Sequence, residues 1–108
     1  MSFLSRLTGL FTRGGRDDSL LLQAMEHAKA KRPEKALEIY DSLVAAANTR
    51  SEVKARALFN RALAHSALDQ DEKAVADLEK VLAMSNIPEN VLNAAKSQLL
   101  RVRKRVAR

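Results

Sequence analysis

The chain has 108 residues, the size of one domain, and 46% of them are apolar against 30% charged, which excludes wholesale disorder. It has no cysteine, which excludes disulfides, thiolate catalysis and thiolate metal sites, and no run approaches the ~20 apolar residues of a membrane span. The net charge of +6 sits at the ends: residues 1–16 carry +3 and residues 89–108 carry +5, while ten basic and twelve acidic side chains leave residues 17–88 at −2.

Residues 1–16 read as a basic, amphipathic appendage. Phe3, Leu4, Leu7, Leu10 and Phe11 fall at helical spacing on one side, with Ser5, Arg6, Thr12 and Arg13 opposite. Such a segment suits docking onto the rest of the chain, attachment to an anionic membrane surface or a partner, or, being free of acids, a mitochondrial transit role. A secretory signal fits poorly, because Ser5, Arg6, Thr8 and Gly9 interrupt the apolar run and no small-residue cleavage site follows. The expected location is cytoplasmic, peripheral on a membrane if the segment binds lipid.

Gly14-Gly15 ends the appendage, and Asp17-Asp18 reads as the start of a helix, since a carboxylate can accept the orphan amides there. Residues 17–108 form the expected domain. Three glycines and two prolines leave few turns, and Ala, Leu, Lys, Arg and Glu outweigh the β-branched residues, so the fold class is all-α. The first helix spans about residues 19–31. Pro33 opens the second, where a missing amide costs nothing, and it runs to about residue 47. Thr49 and Glu52 have capping-box spacing ahead of a third helix that ends near Leu68. Asp69 and Glu72 repeat that box ahead of a fourth, to about Ser85, and Pro88 opens the last. Connections this short make neighbouring helices antiparallel, giving two helical hairpins and one further helix.

The hairpins repeat one another. Shifted by 38 residues, Leu20 meets Leu58, Ala24 meets Ala62, His27 meets His65, Glu34-Lys35-Ala36 meets Glu72-Lys73-Ala74, and Leu43 meets Val81. Small and large apolar residues recurring in step indicate one packing geometry used twice. The stretch Leu58-Phe59-Asn60-Arg61-Ala62-Leu63-Ala64-His65, with Ala74, Leu78 and Val81 after a turn at Asp69-Gln70-Asp71, resembles the tetratricopeptide repeat (TPR) family. The first copy fits more loosely through Leu20, Ala24, His27, Ala36, Tyr40 and Leu43. Two departures stand out. Gln23 and Arg61 occupy a slot the family usually fills with leucine, and the spacing exceeds the usual ~34 residues, an excess the loop at residues 48–51 can absorb.

The resemblance implies a short right-handed solenoid: repeat one over residues 18–48, repeat two over 51–85, and a capping helix over 88–107. In that helix Val91-Leu92-Asn93-Ala94-Ala95 echoes Leu58–Ala62 at a shift of 33, and Leu92, Ala95, Leu99, Val102 and Val106 form its inner stripe. Repeat packing falls to Ala24, His27, Ala36, Tyr40, Ala62, His65, Ala74 and Leu78. In this family the first helices line a concave face that takes extended peptides or helices. By position that face comprises Leu21, Leu22, Met25, Phe59, Asn60, Leu63, Asn93 and Lys96, open to a protein or peptide partner unless residues 1–16 or a second copy cover it. Clamping of acidic chaperone tails, known in some members, is disfavoured: Asn60 matches one clamp position, but Leu21, Met25, Glu89 and Asn93 stand where cations and an amide belong. Two and a half repeats are few for a stack stabilised by neighbours, which leaves a homo-oligomer open.

The remaining charged and titratable clusters read as structural. Arg101, Arg103, Lys104, Arg105 and Arg108 form a basic patch that could meet phosphates, but no aromatic residue is interleaved to stack on bases. A solvated cap whose cations meet the helix dipole is the better reading, and nucleic acid is disfavoured as a partner. His27 and His65 lack neighbouring carboxylates at ligand spacing, so no metal or other cofactor is expected. No nucleophile–base pair, phosphate loop or paired-carboxylate motif occurs. The expected function is therefore a non-enzymatic adaptor or scaffold.

Overall fold

A computed structural model describes residues 15–108, and all the regular structure among them is helical. The helices are α1 (Arg16–Lys29), α2 (Pro33–Ala45), α3 (Ser51–Ala67), α4 (Asp71–Ala83) and α5 (Glu89–Val106). Phe3, Leu4, Leu7, Leu10 and Phe11 lie outside the described residues.

The element order agrees with the periodicity, but α1 starts about three residues earlier than expected and α3 and α4 one residue later, so their capping chemistry differs. Gly15, with φ 49°, precedes α1, and Asp17 and Asp18 sit inside the first turn without capping bonds. There they favour the helix through its dipole instead. Arg50, not Thr49, precedes α3, so the Thr49–Glu52 box is out of register and Thr49 Oγ1 is buried without a hydrogen bond among the described residues. Asp69 cannot cap α4, because at φ 59° it closes the preceding helix, and Gln70 takes the N-cap position.

That closure occurs twice, and it carries the repeat into three dimensions. After α1, the Arg32 amide donates to the His27 carbonyl at 2.9 Å and the Lys31 amide to the Ala28 carbonyl at 3.1 Å. After α3, Gln70 donates to His65 at 2.8 Å and Asp69 to Ser66 at 3.0 Å, each residue shifted by 38. Lys31 at φ 61° and Asp69 at φ 59° supply the left-handed residue that this double-bonded C-terminal turn needs. Neither is glycine; both tolerate the conformation because the turn satisfies otherwise orphaned carbonyls.

Each helix packs on the next, and α1 with α3 and α3 with α5 also touch, whereas α2 and α4 do not. The odd helices therefore form one layer and the even helices another. Arg50, just before α3, reaches Asp18 in the first turn of α1 at 2.9 Å, so those two helices begin side by side. Arg105, near the end of α5, reaches Asp71 at the start of α4, so that pair is antiparallel.

Helix α3 is buried on two sides. Val53, Ala57 and Ala64 join Leu21, Ala24, Ala36, Tyr40 and Leu43 in one apolar cluster. Ala55, Leu58 and Ala62 join Ala74, Leu78, Val81, Val91, Ala95, Leu99 and Val102 in the other. Ala24, Ala36, Ala62, Ala74 and Ala95 are wholly buried, and side chains this small let helix backbones approach to the near end of the ~8–10 Å range. Ala74→Leu is expected to overpack the α3–α4 crossing and cost about 1–3 kcal/mol, read as a lowered thermal midpoint.

Candidate functional groove

A cavity of about 620 Å³ opens between α1 and α3, with the α1–α2 turn at one end. Met25 and Ala28 line it from α1, and Asn60, Leu63, Ala64 and Ala67 from α3. Tyr40 of α2 lies beneath, and Lys29, Lys31 and Pro33 stand at the turn. Met25 and Leu63 occupy equivalent positions 38 residues apart and remain 40% and 39% exposed, although both belong to helices with well-buried opposite faces. Two large apolar side chains held this way by a repeated geometry leave contact area unspent.

Tyr40 adds a polar point. The residue is 1% exposed and ringed by apolar side chains, and burial pushes its hydroxyl up to about 12. The hydroxyl makes no hydrogen bond to any described residue, and Tyr40 is among the residues that line the cavity. With the Asn60 amide on the wall, the groove offers two hydrogen-bonding groups set in an apolar surround.

The structure brings together only part of the face expected from sequence. Met25, Asn60 and Leu63 line the cavity. Leu21 does not: it is buried in the α1–α3 core, where the helix phase turns it away from the groove and Leu22 outward. Phe59 is half-buried against the second core cluster, for the same reason. Leu22 is exposed beyond the cavity lining, and Asn93 and Lys96 are exposed on α5, which does not reach the cavity. Ala28, Lys29, Lys31, Pro33, Tyr40, Ala64 and Ala67 line the cavity without having been expected there. Tyr40 follows from no exposed pattern, since it belongs to a buried stripe, but Ala67 continues the Asn60–Leu63 face by one turn.

Ala24, Ala36, Tyr40, Ala62, Ala74 and Leu78 are buried, and His27 and His65 half-buried. Each ring bonds the residue five positions on: His27 Nδ1 accepts from Arg32 Nε at 3.2 Å, and His65 Nδ1 shares a 2.8 Å bond with Gln70 Oε1. Beside His65 lies a polar cluster that sequence reading missed. Asp77 is only 3% exposed and accepts two 2.8 Å bonds from Arg61, whose third contact is Asp41 at 3.0 Å. These bonds, with Asp77 first, hold the Arg61 guanidinium more firmly protonated than usual. The leucine slot taken by arginine was the signal, because a charge on a packing face requires a counter-charge.

The basic patch is sorted into two sets. Arg103 bonds Glu79 at 2.6 Å and Arg105 chelates Asp71 at 3.1 and 3.2 Å. Arg101, Lys104 and Arg108 are exposed and form no ion pair among the described residues. Among those residues no group of three or more histidines and carboxylates is placed to hold a metal ion, and no helix is long and apolar enough to cross a membrane. Compared with models of known families, with curated proteins and with solved structures, the chain matches none.

Proposed function

We propose that this chain is a non-enzymatic protein-interaction module, a short TPR-like stack of two hairpins and a capping helix, which holds a polypeptide segment in the groove between α1 and α3. The observation that carries this reading is the pairing of Met25 and Leu63 across the cavity, exposed at equivalent repeat positions above Tyr40, whose hydroxyl has no hydrogen-bond partner among the described residues. The two-layer arrangement, with α1, α3 and α5 in one layer, supports the resemblance to a repeat stack. An apolar side chain from the segment would enter between Met25 and Leu63, and a backbone carbonyl could accept from Tyr40 or Asn60. Lys29 and Lys31 give the turn end a positive border.

The test is selection of displayed random peptides on the full chain. Peptides with an apolar anchor should be enriched on the wild type and bind Leu63→Glu at least tenfold more weakly, because the carboxylate would have to be desolvated in the groove. Leu63 is already 39% exposed, so the substitution should leave the helical circular dichroism unchanged. Equal binding by a folded Leu63→Glu would remove the groove from the account.

A further inference from the structure

Helix α5 carries a second surface, distinct from the groove. Its buried stripe is Val91, Ala95, Leu99 and Val102. At about 100° per residue, Lys96, Leu100, Arg101 and Lys104 fall together on the opposite side, with Arg108 just beyond the helix. Leu100 is 63% exposed, more than any other large apolar side chain among the described residues. The cations around it form no ion pair among those residues, and past Glu89 in the first turn α5 has no acid. Arg103 and Arg105, which border the buried stripe, are the two whose charge is already taken up by Glu79 and Asp71.

We infer that this outer face of α5 docks on an anionic phospholipid surface. A leucine standing at the centre of unpaired cations matches the boundary of a bilayer, where the apolar group enters the acyl edge while long lysine and arginine side chains remain among headgroup phosphates. A nucleic acid would use the same cations but gain nothing from Leu100, and α5 has no aromatic ring to stack on a base. The face spans roughly 12 Å from Lys96 to Lys104 at 1.5 Å per residue, so its charges meet the surface together and each contributes about fivefold in affinity.

The experiment is sedimentation of the full chain with phosphatidylcholine vesicles, with and without a third of phosphatidylserine. Binding is expected only with phosphatidylserine, and it should weaken as salt rises. Lys96→Gln with Lys104→Gln should lower affinity about 25-fold. Lys35→Glu, which removes the same net charge from α2, should leave it within about twofold. The sequence has no tryptophan, so Leu100→Trp is a sole reporter whose emission should shift to the blue on phosphatidylserine vesicles. Absence of wild-type binding would overturn the inference. So would equal weakening by Lys35→Glu, or unshifted Leu100→Trp emission on bound vesicles, which would place attachment elsewhere, as at residues 3–11. Preferential retention on nucleic acid or an acidic polypeptide, with vesicles left unbound, would assign the face to that partner instead.

Discussion

Tyr40→Ala is expected to lower stability by about 3–5 kcal/mol, a large share of what a domain this small possesses. The ring is wholly inside the cluster formed by α1, α2 and α3, together with Ala24 and Ala36, both at zero exposure. Tyr40→Phe should behave differently. The hydroxyl makes no bond to a described residue, so its loss should change stability by about 0.5 kcal/mol or less, well below the usual cost of deleting a bonded group. It should nevertheless weaken the peptides selected on the groove, which separates the ring's packing role from the hydroxyl's recognition role. The phenol also sets an alkaline limit. Its folded value of about 12 lies above the ordinary 10.0, so the folded state resists ionisation. The unfolded chain ionises first as pH passes 10.0, and the stabilising contribution of the neutral phenol is lost progressively up to about 12. Because this is the only tyrosine, tyrosinate absorbance reports it directly, and the wild-type loss of stability across that window should exceed that of Tyr40→Phe.

Asp77→Ala should cost about 3 kcal/mol, the lower end for breaking a buried ion pair. The figure is set by Arg61, whose side chain is mostly enclosed and would keep only its contact to the exposed Asp41. The companion Arg61→Leu with Asp77→Ala should recover most of the loss, because no unpaired charge then remains inside and leucine suits the packing face. Chemical denaturation of the two variants decides it. If the double variant is no more stable than Asp77→Ala alone, the ion pair is not what the carboxylate supplies, and its size in the α3–α4 contact is.

The helices and their repetition were legible because each rests on many residues at once. Alanines recur at Ala24 and Ala62, and at Ala36 and Ala74, and the turns at Lys31 and Asp69 recur at the same spacing of 38. Capping was less legible because it hangs on single positions. Asp69 satisfies a helix-start pattern by composition, yet the chain needs it for the left-handed step that ends α3, and one residue cannot do both. Leu20-Leu21-Leu22 shows a similar ambiguity on α1. Adjacent helical residues differ by about 100°, so only the packing of the whole helix decides that Leu21 goes inward and Leu22 outward. The groove was legible only in part for the same reason, with Met25, Asn60 and Leu63 on the cavity and Leu21, Leu22, Phe59, Asn93 and Lys96 away from it. Charge pairing on α5 was not legible: Arg103 and Lys104 are neighbours of like charge, and only the nearness of Glu79 to one of them sets their different fates.

The most direct measurement is a backbone-amide nuclear magnetic resonance titration of the full chain with a peptide selected on it. The largest shifts should cluster at Met25, Ala28, Asn60, Leu63 and Ala67, the two walls of one groove on helices α1 and α3. Shifts centred instead on α4, or spread evenly over all five helices, would contradict a segment seated between the first helices of the two hairpins.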